Sequence, residues 1–282
     1  MKPTIDEEGR LRLTLATIFT PEAAESLLPE TATIQGIDVA LSWKQDGTVG
    51  SRGEDVFKES TFLSGVPLLT STLMMADNEQ QQKQLERLAS CGGEYADAPV
   101  LVLDVRGNGG GNSGYIESWF TGYTGQAASI RAARAIKLSP LNRQLYLTYF
   151  ASLMEIPQLS SLWWETTYTG AVTPREGLTL VLQDKGTGSS GETAVQLMRT
   201  AEKTLTIGGC TWGSCLTPNV FSFYLPHSGV MVRFGTGLGL YEDMANRDGK
   251  GWLPDLWVPS GQAQERARRM IDYYSLTELF AG

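Results

Sequence analysis

The rhythm of apolar and polar positions changes near residue 59. Before it, "RLRLTLATIF" (10–19) alternates with period two and predicts a strand. "PEAAESLLPE" (21–30) opens on a proline and predicts a short helix. "IDVALSWKQDGTVGS" (37–51) predicts a hairpin turning at Asp46-Gly47. Residues 1–58 are thus expected to form a β-rich leading segment. Beyond it, "GVPLLTSTLMM" (65–75) predicts a strand, and "NEQQQKQLERLAS" (78–90) a helix with a narrow apolar face. "APVLVLDV" (98–105) is a nearly unbroken apolar run closing on Asp104, the pattern of a strand buried on both faces. "LTLVLQD" (178–184) and "TLTIGG" (204–209) read alike. Helical stretches follow at "SGYIESWF" and "GETAVQLMRTAE". Strands alternating with helices predict an α/β core with parallel strands over residues 59–282. "NVFSFYLPHSGVMVRFG" (219–235) predicts a hairpin, and Gln262 to Leu279 an amphipathic helix.

Composition narrows the function classes. The formal net charge is −8 with no basic stripe, which disfavours nucleic acid and anionic membranes as partners. "MKPTIDEEGRLRL" lacks an apolar leader core, and no apolar run reaches spanning length. With Met1 as the true start, export by a leader is not expected, and localisation is otherwise open. Cys91, Cys210 and Cys215 do not make a disulfide framework, although Cys210 and Cys215 are close enough to pair if their loop turns back. One histidine and no zinc spacing leave no metal or organic cofactor to expect.

Two glycine loops carry the chemistry. In "LDVRGNGGGNSGY" (103–115), Gly109, Gly111 and Gly114 formally match a dinucleotide fingerprint, but the acid expected about twenty residues on is missing. No Lys-Ser/Thr follows, so a P-loop is excluded. The loop is either a tight turn needing positive φ or a set of backbone N–H groups for an oxyanion. In "KGTGSSGET" (185–193), Ser189 and Glu192 have capping-box spacing, which alone would account for both. The competing reading sets a serine oxygen at a helix N-terminus, where the dipole favours developing negative charge.

Together these loops and the C-terminal third resemble the tail-specific, or C-terminal-processing, serine peptidases, including their retinoid-binding-protein-like and tricorn-core members. "VLVLDVRGNGGG", "GTGSSGE", "TIGGCTWG", "FYLPHSG" and "RDGKGWLPDLWV" match that family's motifs in order, over roughly residues 60 to 260. The resemblance implies a ClpP/crotonase-like α/β fold and hydrolysis of polypeptide through an acyl-enzyme. It implies Ser189 as nucleophile, with backbone N–H groups of Gly110 or Gly109 and of Ser190 holding the oxyanion. Asp104 and Arg106 are expected to shape the first loop as a buried ion pair rather than to do chemistry.

The base is where the sequence departs from the family. Alignment on the Thr-x-Gly turn puts Ser214 where the tail-specific branch has its lysine. The other branch uses an upstream histidine, yet the only histidine here is His227, in the hairpin. Lys185, Lys203 and Lys250 are the remaining bases near the motifs, and Asp248 is the candidate orienting acid. Three readings stay open: a base brought by a His-bearing N-terminal domain or partner chain, a peptide-binding or scaffolding module that does not cut, or an unrecognised base. A crotonase-type acyl-thioester enzyme is a further rival, against which the Ser-x-x-Glu and Pro-Asp motifs argue.

Overall fold

The computed structural model of the chain describes residues 1–14, 29–34, 37–40, 54–62, 65–128, 132–137, 154–155, 163–168, 172–218, 220–241 and 243–281. In chain order its strands begin with β1 (Lys2–Ile5), β2 (Leu11–Thr14), β3 (Thr31–Ile34), β4 (Ile37–Ala40), β5 (Phe57–Thr61) and β6 (Pro67–Ser71). They continue with β7 (Val100–Asp104), β8 (Ala132–Lys137), β9 (Met154–Glu155), β10 (Trp163–Tyr168) and β11 (Leu178–Gln183). Last come β12 (Thr204–Gly208), β13 (Val220–Tyr224), β14 (Met231–Gly235), β15 (Gly237–Tyr241) and β16 (Leu256–Trp257). The helices are α1 (Glu79–Ser90), α2 (Gly114–Thr124), α3 (Ser190–Met198), α4 (Ala263–Tyr273) and α5 (Leu276–Leu279).

A six-stranded sheet, ordered β16-β12-β11-β7-β6-β5, forms the centre. Its strands are parallel except β5, which runs antiparallel to β6 at the edge. The apolar runs follow from burial on both faces. Leu101 and Leu103 of β7 enter one core with Leu85 and Leu88 of α1 and Trp119 and Phe120 of α2. Val100 and Val102 enter the other, with Leu180, Leu182 and the α4 residues Ala267, Met270 and Ile271. Parallel pairing puts the C-terminal ends of β7 and β11 side by side, Leu182 opposite Asp104. The loops leaving those ends must therefore meet, as at the ligand-binding crevice of open α/β sheets.

Several expectations are refined. Ile37–Ala40 pairs with Thr31–Ile34 upstream, whereas the predicted Asp46-Gly47 turn, residues 21–28 of the predicted helix and residues 15–19 of the predicted strand lie outside the described residues. The single helix expected from Gln262 to Leu279 is broken at Ser275, which adopts φ +47°. A continuous helix would turn Leu276, five residues beyond Ile271, off the apolar face, and the break returns it to the same core. A second, antiparallel sheet ordered β15-β8-β10-β9 carries no strong sequence signature. The hairpin β1–β2 is tied to the C-terminal elements: Arg266 Nη1 donates to Ile5 O at 3.0 Å, and Thr4 Oγ1 donates to Trp257 O. No helix among the described residues is long and apolar enough to cross a membrane.

Candidate active site

Both glycine loops leave buried strands at an aspartate, the last residue of β7 (Asp104) and the first after β11 (Asp184). Asp104 accepts from Arg106 N (3.1 Å) and Nε (2.8 Å), and Arg106 Nη1 donates to Ser260 O. The two side chains form an ion pair at the end of β7, Asp104 buried and Arg106 partly so. Asp184, fully buried, reaches into both loops: its Oδ1 accepts from Gly107 N at 2.8 Å and Gly186 N at 2.9 Å. Its place at the end of "LTLVLQD", mirroring Asp104, was the available signal for this role. Asn108 pins the first loop, donating through Nδ2 to Ser71 O and Oγ at 3.0 Å each.

The loops then interlock. Gly188 N donates to Asn108 O at 2.8 Å, and Ser190 Oγ to Gly111 O at 2.6 Å. Gly110, at φ +111°, faces Ser189 so closely that a Cβ there would lie 2.6 Å from Ser189 Cβ and 3.1 Å from its Oγ. Glycine is required at this position by both conformation and space. The Gly110 N–H, one of the donors expected for an oxyanion, is given to Asn108 Oδ1 at 3.0 Å. Among the described residues the N–H groups of Gly109 and Ser190 have no partner.

Ser189 heads α3 with φ +49° and ψ −116° and is exposed. The capping box with Glu192 forms. An ordinary cap, however, sits in the β region, and this backbone does not. Holding a serine there costs about 1–3 kcal/mol, a cost characteristic of functional turns. The bonds that hold it come from Glu192 and the Thr211–Ser214 turn. Glu192 is fully buried. Its Oε1 accepts from Thr211 Oγ1 (2.6 Å) and Gly213 N (2.8 Å), and its Oε2 from Ser214 N (2.8 Å) and Ser189 N (3.3 Å). Ser214 Oγ donates to Oε2 at 3.0 Å and accepts the Ser189 N–H at 2.7 Å. The hydroxyl in the lysine position is thus part of the clamp on the Ser189 backbone.

The side chains that could serve as bases are disposed differently. Lys185 Nζ donates to the carbonyls of Gly249 (2.9 Å), Trp212 (3.1 Å) and Thr211 (3.2 Å), so its three protons staple two loops together. Lys203, beside Thr204 at the N-terminal end of β12, donates to Glu176 Oε2 at 3.0 Å. Lys250 and Asp248 are exposed, Asp248 in a turn whose N–H donates to Asn246 Oδ1 at 2.9 Å. His227 is exposed between β13 and β14. Cys210 and Cys215 are not joined by a disulfide. Cys215 Sγ donates to Ser189 O at 3.4 Å, and burial, with Glu192 nearby, pushes its pKa well up, so it remains a thiol. No group of three or more His, Cys, Asp or Glu among the described residues is placed to hold a metal ion.

A parallel α/β sheet with a strained serine turn packed on a glycine loop is the architecture of a serine-hydrolase class. The sequence matches the model of peptidase family S41 over residues 68–258, and the chain belongs to that family. Among solved structures, mature CPAF complexed with lactacystin is similar, with a TM-score of 0.51 at 13% identity over 84% of this chain. The chain spans 56% of that protein's length. A candidate peptidase from Parabacteroides merdae superposes with a TM-score of 0.50 at 17% identity, over 84% of this chain and 68% of that one. At these identities the likeness is one of fold. It agrees with the ClpP/crotonase-like α/β core expected from the motifs. No curated protein matches the sequence.

Proposed function

We propose that this member of the family hydrolyses polypeptide through an acyl-enzyme on Ser189, with a general base brought by a segment or chain beyond these residues. The observation that carries the reading is the Ser189 turn: an exposed serine at φ +49° and ψ −116°, against a glycine, beside an unpartnered Ser190 N–H. Ser189 Oγ attacks the scissile carbonyl carbon, and the base takes the Oγ proton. The N–H groups of Ser190 and Gly109 receive the oxyanion, and Gly110 contributes by its missing Cβ. Collapse breaks the C–N bond, the base returns the proton to the leaving amine, and water then releases the acyl group. Asp248 would orient the incoming base.

A second reading, a peptide-binding or scaffolding module, is favoured by one observation: the lysine position holds Ser214, and Lys185 and Lys203 are engaged elsewhere. Labelling with a fluorophosphonate, on the unmodified protein and on Ser189→Ala, separates the two. Labelling that depends on Ser189 supports the hydrolase. Its absence, both from the folded chain and after addition of a histidine-bearing N-terminal domain from a family member, favours the binding module.

A further inference from the structure

Trp212 lies beside Gly188, the residue before Ser189, and is 55% exposed. A lone exposed aromatic needs no explanation by itself. This one is held on both sides by the groups that build the serine turn. Its N–H donates to Thr187 O at 2.8 Å. Its carbonyl accepts from Lys185 Nζ at 3.1 Å, and the next residue's N–H donates to Glu192 Oε1 at 2.8 Å. Its indole lies over Gly188: a Cβ on that glycine would meet Trp212 Cε3 at 3.1 Å. A large flat apolar surface is therefore fixed beside the residue preceding Ser189, with its backbone already ordered. On the other side, Met74 N and O bracket the Gly110–Asn112 segment at 2.8 and 2.7 Å, and the adjoining Met75 is 53% exposed.

We infer that Trp212 is the residue that selects the polypeptide segment bound at this site, by packing its indole on a large apolar or aromatic side chain next to the bond facing Ser189. The chemistry of the rim supports that occupant. Lys185 Nζ, which bonds the Trp212 carbonyl, spends its protons on three carbonyls and has no N–H left to donate to an acidic side chain. Asp248 is exposed beside Gly249, whose carbonyl the same ammonium holds, and the chain carries a net charge of −8. An aspartate in the bound segment would find no free donor on Lys185, whereas a phenylalanine would gain an offset-stacked partner on the indole.

The inference rests on the reading of Ser189 for which bond is aligned, but its test does not need a nucleophile. Fluorescein-labelled octapeptides of Ala and Ser, carrying one central Phe, Leu or Asp, would be titrated by fluorescence anisotropy. The titrations would use the unmodified protein, Ser189→Ala, Trp212→Ala and Trp212→Phe. Expected is tighter binding of the Phe and Leu peptides than of the Asp peptide, by about tenfold. That preference should be lost in Trp212→Ala and retained in Trp212→Phe. Retention by the aromatic variant is what a purely structural role would not produce. Equal binding of all peptides, a preference unchanged in Trp212→Ala, or no saturable binding to any folded form would overturn the inference. Trp212-dependent binding without covalent labelling of Ser189, even after addition of the histidine-bearing domain, would sink the hydrolase reading and leave this one standing.

Discussion

Ser214 Oγ accepts the backbone N–H of Ser189 at 2.7 Å while donating to the buried carboxylate of Glu192 at 3.0 Å. The hydroxyl accepts one hydrogen bond from the serine turn and donates one to the acid beneath it. A single side chain thereby links the strained backbone of Ser189 to the interior. Ser214→Ala removes that acceptor from a partly buried N–H and should cost about 1–2 kcal/mol in a urea melt. Ser214→Lys instead sets an amine where the tail-specific branch has one. A lysine acts as a base only after losing its proton, so fluorophosphonate labelling of this variant should rise with pH. Equal, pH-independent labelling of both proteins would show that Ser189 Oγ does not face this position.

Glu192 is surrounded by donors alone: Thr211 Oγ1, Gly213 N, Ser214 N, Ser214 Oγ and Ser189 N. Glu192→Gln keeps the shape but points an NH2 group at one set of donors. Leaving buried donors unpaired should destabilise the protein by roughly 2–3 kcal/mol and loosen the Ser189 turn. Thermal melting reads the first effect and the labelling rate the second. A neutral outcome in both would mean the carboxylate charge is not required.

Gly110→Ala sets a Cβ 2.6 Å from Ser189 Cβ in a residue held at φ +111°. The strain should cost about 1–3 kcal/mol and displace Ser189. Labelling in the presence of the histidine-bearing domain is expected to fall by more than tenfold while far-UV circular dichroism stays unchanged. Gly65→Ala is the control, because a Cβ there meets nothing within 4 Å although φ is +80°, so it carries backbone strain without a contact.

Burial at the α1–α2 contact pushes the Cys91 thiol from 9.0 up to about 11. The unfolded chain loses this proton above pH 9 while the folded chain keeps it, so folding stability falls as pH rises through that window. The contribution, roughly 2–3 kcal/mol by pH 11, should be absent in Cys91→Ala. Urea midpoints of the two proteins from pH 8 to 11 would therefore converge. Parallel lines would assign the alkaline loss to other groups.

Much of the frame was legible in the chain. "VLVLD" and "LTLVLQ" announced strands buried on both faces because every residue is apolar or capable of pairing, and only a covered parallel sheet accommodates that pattern. The glycine loops announced sharp turns, and Ser189 with Glu192 announced a helix start. The second sheet was not legible: "GLGLY" of β15 gives little side-chain signal, so pairing with distant β8 decides its form. The sequence alone also determined that one histidine is present and that the lysine position holds a serine. Tertiary structure decided what those residues do. Ser214 and Lys185 are far apart in sequence from most of the atoms they hold, and a single substitution carries no record of which N–H or carbonyl will lie opposite. The conformation of Ser189 was likewise undetermined by a capping-box motif that fits an ordinary helix start equally well. It is imposed by the meeting of two loops, brought together because β7 and β11 are parallel neighbours and release their chains at the same edge of the sheet.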